Sequence, residues 1–442
     1  MRTPISDFLA EYAEGGSIRM HMPGHKGAGD AERYDLTEIV GADSLYEASG
    51  IIAESEANAS ALFGAHSFYS CEGSSLSIRA MVYLAMLHAR ENGREPRILA
   101  FRNCHKSYVS AVALLGVPTE FLRGAGDGYL STSLPALEVE SFLDSSEHGY
   151  TALYVTSPDY LGRMADIAAL SELCKKRGML LLVDNAHGAY LKFLSPSLHP
   201  MDLGADMCAD SAHKTLPVLT GGGYLHINRG ASPLLAENAK YALSLFGSTS
   251  PSYLILASLD RANAYISGGY PERLVSLTAR LKRVKERLSA AGYEVYDGEP
   301  MKLTLLPKSY GKRGDELAGI LAKKGCTAEF ADRDHLVLMP SAEQSDELDK
   351  VCEMLLSVPK AATLTDTPPA LPHPVKVIEP RDALCAPTEW VRVEDAEGRI
   401  MGELTVGCPP AVPILMLGER IDREAIACFK YYGTEKVRVV KE

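Results

Sequence analysis

Short apolar segments alternate with helical segments between about residues 50 and 265 of this 442-residue chain. Three of them, at 97–101, 151–156 and 179–183, contain β-branched or aromatic residues and are bounded by polar or turn residues. Residues 75–90 have a helical composition and are long enough for a helix buried on one side. Uniformly apolar strands separated by helices are typical of a parallel sheet that is covered on both faces. The sequence therefore predicts an α/β fold with a mainly parallel sheet.

The rest of the chain predicts further regions around this sheet. A leucine-rich amphipathic pattern over 271–291 predicts a long helix that opens a smaller α+β domain. Five prolines within 361–380 predict a linker before a short C-terminal domain. The predicted division is an extended N-terminal arm at 1–30, a large domain at 31–270, a small α+β domain at 271–365, and the linker with the C-terminal domain at 366–442.

Charge and composition exclude several classes of protein. Lys and Arg number 45 against 57 Asp and Glu, a net charge of −12, so no nucleic-acid partner is expected. No apolar run approaches the roughly 18 residues of a membrane span, and the N-terminus lacks signal-peptide features, so a cytoplasmic location without membrane contact is expected. The nine cysteines are scattered and form no C-x-x-C pair, which predicts reduced thiols and no metal site.

An aspartate and a lysine form the most informative pair in the sequence. Asp184 ends an apolar segment, and Lys214 follows thirty residues later, ahead of three glycines. In an open parallel sheet, ligands bind at the carboxyl ends of the strands. Pyridoxal phosphate needs such a pair: the lysine amine forms the resting Schiff base, and the carboxylate keeps the ring nitrogen protonated. Taken singly, Asp184 reads better as a helix cap and Lys214 as a surface lysine; together they favour the cofactor.

Other short motifs fit the same site less specifically. Gly73-Ser74-Ser75 precedes the 75–90 helix and could hold a phosphate, although a simple N-cap serine is the common alternative. His105 follows the 97–101 strand, where an imidazole could stack on a flat cofactor ring or be purely structural. The segment HMPGHKG at 21–27 has His-x-x-x-His spacing, but its Pro and Gly disfavour a helical metal site. A rigid loop that presents His25 and Lys26 to a binding site is the better interpretation.

At these residues the chain resembles the bacterial ornithine/lysine/arginine decarboxylases, which are fold type I, aspartate-aminotransferase-like enzymes. The resemblance covers nearly the whole chain. Its motifs are HMPGHKG at 21–27, DLTEI at 35–39, RNCHKS at 102–107, DNAHGAY at 184–190, SAHKTLPVLTGGGYLH at 211–226, TSPSYLILASLD at 249–260 and PPAVPILMLGERI at 409–421.

The resemblance implies pyridoxal phosphate as cofactor and a role for each matching residue. Lys214 would carry the Schiff base and Asp184 would pair with the ring nitrogen. His105 would stack on one ring face and Ala186 would pack against the other, while His187 would lie on the substrate side. The remaining implied contacts are with the phosphate or its surroundings: Gly73, Ser74, Ser75, Ser211 and His213, with Thr249 and Ser250 reaching a neighbouring subunit's phosphate site.

The chain also departs from the usual family pattern. Asn185 replaces a usual Glu, Tyr190 a usual His, and Cys408 and Ala411 replace the Tyr and Gly of a Tyr-Pro-Pro-Gly motif. The family's large inducible members carry an N-terminal wing domain, for which the position of the 21–27 motif leaves no room. The resemblance therefore implies a homodimer or a dimer of dimers with an active site shared across the interface.

The implied activity is decarboxylation of lysine, arginine or ornithine to the corresponding di- or polyamine with release of carbon dioxide. Lys214 or His213 would return a proton to the α-carbon, and Glu419 is a candidate partner for the distal cation of the substrate. Two alternatives stay open on the residues alone. The same fold supports aminotransferases and lyases, and a drifted relative could bind and regulate without turnover.

Overall fold

The computed structural model describes residues 1–124, 128–132, 134–404 and 410–441. The chain forms two compact units, each built from separate stretches of sequence. The first unit comprises Met1–Leu99, Ala136–Ser157 and Asp166–Glu272, and the second comprises Ala100–Pro135, Pro158–Ala165 and Arg273–Glu442. These units are discontinuous along the chain. The linear domain division expected from the sequence stays a prediction.

The strands alternate with helices through most of the chain. The strands are β1 (His66–Ser70), β2 (Ile98–Phe101), β3 (Thr119–Leu122), β4 (Ala152–Thr156), β5 (Leu180–Asp184), β6 (Met207–Asp210), β7 (Gly223–Ile227), β8 (Glu294–Val295), β9 (Leu303–Leu306), β10 (Phe330–Ala331), β11 (Leu336–Leu338), β12 (Thr388–Arg392) and β13 (Lys436–Val440).

The helices are α1 (Pro4–Glu14), α2 (Ile51–Phe63), α3 (Gly73–Glu91), α4 (Lys106–Leu115), α5 (Ala136–Ser145), α6 (Ile167–Arg177), α7 (Ala212–Thr215), α8 (Pro233–Glu237), α9 (Ala239–Ser244), α10 (Tyr253–Ser267), α11 (Tyr270–Ala290), α12 (Gly314–Lys323), α13 (Glu347–Leu356), α14 (Pro380–Cys385) and α15 (Arg423–Tyr431).

The large sheet has seven strands in the order β1-β7-β6-β5-β4-β2-β3. β4, β5 and β6 pair in parallel, whereas β7 is antiparallel to both β6 and β1. Every residue of β5, whose sequence is LLLVD, is buried, as expected for a strand covered on both faces. The predicted α/β fold with a mainly parallel sheet is confirmed. Its parallel strands bring the ends of β4, β5 and β6 to one edge.

The first thirty residues do not form the extended arm that the sequence suggested. Residues 4–14 form α1, in which Ile5 and Leu9 are buried. The Ser6 N–H donates to Asp260 Oδ2 at 2.9 Å, and the Ser6 hydroxyl donates to the Ala257 carbonyl at 3.1 Å. Pro4 occupies the first turn of this helix, where its missing N–H costs nothing. The prediction was therefore wrong for this segment.

The second unit contains two smaller sheets. The first is antiparallel, in the order β10-β11-β9-β8, and the second is the β12-β13 pair. Leu274, Leu277 and Leu281 of α11 are buried, as the amphipathic pattern predicted. The C-terminal part has a core of its own around Phe429, Met401 and Val439.

Candidate active site

Asp184 is the last residue of β5 and is almost fully buried. Its Oδ2 accepts the Tyr154 hydroxyl at 3.1 Å, and its Oδ1 accepts the Ala186 N–H at 3.2 Å. Burial raises the pKa of the Asp184 carboxyl, while the charge of Lys214 and the two hydrogen bonds act in the opposite direction. A carboxylate held this way at a strand end is suited to pair with a cationic group.

Lys214 lies in α7, which begins directly after β6. Its Nζ is 3.0 Å from His187 Nε2. An ammonium group has donors only, so the lysine donates and His187 Nε2 accepts. His187 is itself buried, three residues beyond Asp184. The structure thus brings Asp184, His187 and Lys214, all predicted from sequence, to the same edge of the sheet.

Gly73 and the serines beside it form a cradle at the N-terminus of α3. The helix begins at Gly73, two residues earlier than predicted, so Gly73, Ser74 and Ser75 make up its first turn. The Ser74 N–H donates to Ser211 Oγ at 3.3 Å, and the Ser211 hydroxyl donates to Ser74 Oγ at 2.9 Å. Gly73 has a φ of 63°, and a Cβ there would lie 3.4 Å from His213 Cε1. N–H groups and hydroxyls grouped at a helix N-terminus suit a phosphate dianion.

His213 adjoins this cradle and is held by Gly222. Its Nδ1 lies 2.9 Å from the Gly222 carbonyl, which can only accept, so Nδ1 carries the hydrogen. Burial lowers the pKa of His213, with the charge of Lys214 acting in the same direction and the Gly222 hydrogen bond opposing both. His213 is therefore a neutral ring whose proton is already engaged.

These residues fit pyridoxal phosphate. A lysine amine and a buried carboxylate stand at neighbouring strand ends, as a Schiff base and a ring nitrogen require. The absence of a side chain at Gly73 leaves room above His213 for a phosphate oxygen. Ala186 follows Asp184 in the chain and presents a small buried side chain.

Four other predicted residues lie elsewhere in the first unit. Thr249 and Ser250 are exposed in the first unit, after α9. In the 21–27 loop, His25 Nε2 pairs with Asp35 Oδ2 at 3.2 Å, and Lys26 is exposed. The predicted roles of these four residues stay predictions.

His105 belongs to the second unit, where it is the N-cap of α4. Its Nδ1 accepts the Ser107 N–H at 3.1 Å. Its predicted stacking on the cofactor ring stays a prediction.

Glu419 has a partner that the sequence did not reveal. Arg102 donates from Nη1 to Oε1 at 2.7 Å and from Nη2 to Oε2 at 2.5 Å, and the Met416 N–H also donates to Oε2 at 2.7 Å. The side chains of Arg102 and Glu419 are 13% and 6% exposed. Because this carboxylate is already neutralised within the second unit, we leave Glu419 out of the proposed substrate site.

The departures from the family pattern have different structural settings. Asn185 Nδ2 donates to Asp210 Oδ1 at 2.7 Å, and Tyr190 is fully buried. Ala411 has a φ of 56°, in the left-handed region that favours glycine. Cys408 lies outside the described residues.

Sequence reasoning missed three residues near the strand ends. Tyr154 donates to Asp184, and Thr156 is the register partner of Asp184 on β4. The Thr156 hydroxyl is buried and has no hydrogen-bond partner among the described residues. Asp210 ends β6, four residues before Lys214. Aligning the ends of the predicted strands at 151–156 and 179–183 would have pointed to Thr156, whereas the strand that ends at Asp210 was not predicted.

The fold and this strand-end site define an α/β enzyme, and comparison with known proteins identifies its family. The model of the Orn/Lys/Arg decarboxylase major domain matches residues 3–291, and that of the C-terminal domain of the same family matches residues 370–436. The chain therefore belongs to the Orn/Lys/Arg decarboxylase family and is a decarboxylase.

Individual relatives cover nearly the whole chain. An arginine decarboxylase of Halalkalibacterium halodurans is 31% identical, over 96% of this chain and 92% of its own. The uncharacterized protein YaaO of Bacillus subtilis is also 31% identical, over 96% and 93%. The solved structure of lysine decarboxylase A from Pseudomonas aeruginosa superposes with a TM-score of 0.80 at 18% identity, over 99% of this chain and 80% of that one. That last similarity supports the fold.

None of the helices in the described part of the chain is both long enough and apolar enough to span a bilayer.

Proposed function

We propose that this chain binds pyridoxal phosphate through Lys214 and decarboxylates a basic amino acid, namely lysine, arginine or ornithine. The products are carbon dioxide and the corresponding amine. The observation that carries the proposal is the placement of Lys214, His187 and buried Asp184 at the ends of adjacent strands. Family membership and relatives named arginine or lysine decarboxylase support the choice of substrates.

In this proposal, each residue of the site holds one part of the cofactor. When bound, pyridoxal phosphate withdraws electrons from the substrate's α-carbon. Asp184 keeps a proton on the ring nitrogen, because a buried carboxylate favours a cation beside it. The phosphate would be held by the α3 cradle, through the N–H groups and hydroxyls of Gly73, Ser74, Ser75 and Ser211. Ala186 leaves space for the ring.

Lys214 is the proposed proton donor to the α-carbon. Departure of the carboxylate as carbon dioxide leaves an electron pair there, which takes up one proton. Of the two groups expected to supply it, His213 has its only proton on Nδ1, engaged by the Gly222 carbonyl. Lys214 Nζ can exchange a proton with His187 Nε2 at 3.0 Å. We therefore place His213 in the cradle and the proton transfer at Lys214.

We also propose that the protein acts as a homodimer or dimer of dimers. Ile18, Met20, Met22 and Val40 are each at least 69% exposed, so the segment around the 21–27 loop presents apolar surface to solvent. Such a patch on one segment is typical of an association surface. Thr249 and Ser250 are exposed and so available to a neighbouring subunit. A cytoplasmic place in polyamine biosynthesis belongs to the same proposal.

The cradle offers a test with a matched control. Gly73→Ala adds a methyl group 3.4 Å from His213 Cε1, whereas Gly93→Ala meets nothing within 4 Å; both glycines have similar positive φ values, 63° and 66°. Titration of the apoprotein with pyridoxal phosphate should show affinity at least about tenfold weaker in Gly73→Ala than in Gly93→Ala. Lys214→Ala should lose the visible band of the lysine-bound cofactor. Equal affinities of the two glycine variants, or a band that persists without Lys214, would contradict the assignment.

A further inference from the structure

A buried tyrosine of β4 contacts the carboxylate of the proposed cofactor site. Tyr154 is fully buried, and its hydroxyl donates to Asp184 Oδ2 at 3.1 Å. In the parallel register of β4 and β5, Tyr154 is opposite Leu182, two residues before Asp184. Side chains two residues apart in a strand point to the same face, so Tyr154 and Asp184 share one face of the sheet. The contact therefore follows from the pairing of β4 with β5.

Each oxygen of the Asp184 carboxyl group accepts a hydrogen bond from a donor of its own. Oδ1 accepts the Ala186 N–H at 3.2 Å, and Oδ2 accepts the Tyr154 hydroxyl. With one donor on each oxygen, the plane of the carboxyl group is fixed. A hydrogen bond to a carboxylate is stronger than one to a neutral carboxylic acid, so Tyr154 stabilises the ionised form. Burial raises the pKa of Asp184, and the charge of Lys214 and these two hydrogen bonds oppose that rise.

We propose that Tyr154 is a positioning residue, whose hydroxyl keeps Asp184 ionised and oriented so that the ring nitrogen of the cofactor retains its proton. The inference rests on the proposed function, in which a protonated ring nitrogen supports the withdrawal of electrons. A proton shared between the ring nitrogen and Asp184 stays mainly on the more basic of the two. A carboxylate that already accepts the Tyr154 hydroxyl is less basic and leaves the proton on the nitrogen. Tyr154 thus acts through Asp184 and not on the substrate.

Other ionisable groups surround Asp184 and are kept constant in the test. Those on the elements beside it are Cys208 and Asp210 of β6, His187 after β5, and Lys214 of α7. Helices α3 and α6 also pack on β5. Residues 73–78, at the start of α3, include no ionisable side chain, and Asp166 and Glu172, at the start of α6, are exposed. A change in pH dependence on substitution of Tyr154 is therefore assigned to its hydrogen bond.

Thermal unfolding of the full-length apoprotein measures the hydrogen bond without the cofactor. Tyr154→Phe raises the pKa of folded Asp184 further above its unfolded value, so the added loss of stability develops as pH rises above about 4. We expect the loss of Tm to be about 3 °C larger at pH 8 than at pH 4. In an Asp184→Asn background, the same substitution should cost an equal Tm at both pH values, because the amide does not titrate.

Tyr253→Phe is the matched control. Tyr253 is also fully buried in the first unit, and its hydroxyl donates to the Asp43 carbonyl at 2.6 Å. This acceptor is a backbone group without a titration, so the loss of Tm should be equal at pH 4 and pH 8.

Nitrogen-15 NMR of the holoenzyme measures the consequence for the cofactor. The protein is loaded with pyridoxal phosphate labelled at the ring nitrogen. Wild type and Tyr253→Phe should show a protonated ring nitrogen at pH 7. In Tyr154→Phe the resonance should move towards that of an unprotonated pyridine, because the more basic Asp184 takes a larger share of the proton.

Several results would overturn the proposal. Equal losses of Tm at pH 4 and pH 8 in Tyr154→Phe would reduce Tyr154 to a packing residue, and so would a wild-type nitrogen resonance in that variant. If Tyr154→Phe fails to fold, 3-fluorotyrosine at position 154 decides, because it keeps the hydroxyl and makes it a stronger donor. It should change the pH dependence of Tm in the opposite direction, and an unchanged dependence refutes the claim. A wild-type protein that takes up no labelled cofactor refutes the proposed function itself, and the apoprotein measurements distinguish that outcome.

Discussion

Glu419→Ala is the substitution that best separates a structural from a substrate-binding carboxylate. Arg102 donates two hydrogen bonds to Glu419, and both side chains are largely buried. Removal of one member of a buried ion pair typically costs about 3–5 kcal/mol, because the other charge is left without a partner. The Met416 N–H would lose its acceptor too. We expect a loss of about 4 kcal/mol in the free energy of unfolding of the second unit.

Urea denaturation followed by tryptophan fluorescence suits this measurement. Trp390 is the chain's one tryptophan and lies in β12, so it reports on the second unit. Urea is preferable to guanidinium because it does not screen ion pairs. At a slope of about 2 kcal/mol/M, the expected loss lowers the midpoint by about 2 M.

The matched control is Glu397→Ala. Glu397 pairs with Arg423 at 2.8 Å, but these side chains are 53% and 83% exposed, so the expected cost is below about 1 kcal/mol. Equal losses in the two variants would refute the reasoning. A wild-type urea midpoint for Glu419→Ala, together with a raised KM for basic amino acids, would indicate that Glu419 binds the substrate.

Three further predictions concern single residues. Ala411→Gly should stabilise the second unit by about 1 kcal/mol in the same urea assay, because φ at this position is 56°; a loss of stability would contradict this. Burial raises the pKa of Asp184, so the folded apoprotein binds that proton more tightly than the unfolded chain, and its contribution becomes unfavourable as pH rises above about 4. Asp184→Asn should therefore raise the apoprotein Tm more at pH 7 than at pH 4, and an equal change at both pH values would argue against it. His187→Ala should lower kcat by about a hundredfold through loss of the partner of Lys214 Nζ, with little change in the cofactor band; an unchanged kcat would remove His187 from the mechanism.

The pattern of apolar residues in the sequence was sufficient to predict the large sheet and the ends of its strands. The apolar segment predicted at 179–183 corresponds to β5, which is shifted by one residue. Asp184 therefore ends the strand, at the position where a ligand-binding residue was expected. This succeeded because strands buried on both faces have a distinctive uniform pattern. Lys214 was predicted from its spacing to Asp184, whereas His187 was implied only by the resemblance to the family.

The sequence pattern could not predict interactions between residues that are far apart in the chain. From the sequence alone, Glu419 was a candidate substrate-binding carboxylate. The structure pairs it with Arg102, which is 317 residues away in the chain and neutralises its charge. Asn185 was only a departure from the family pattern in the sequence, and the structure shows its partner, Asp210, on the neighbouring strand. The effect of Pro4 on local structure was ambiguous in the sequence, because proline disrupts the interior of a helix but is favoured in its first turn.

Release of carbon dioxide tests the central claim most directly. The purified protein, supplied with pyridoxal phosphate, is incubated separately with lysine, arginine and ornithine labelled at the carboxyl carbon, beside Lys214→Ala. The account predicts release of labelled carbon dioxide and formation of the matching amine from at least one of the three, and none from Lys214→Ala. A normal cofactor band without release from any of them, or equal release without Lys214, would contradict it.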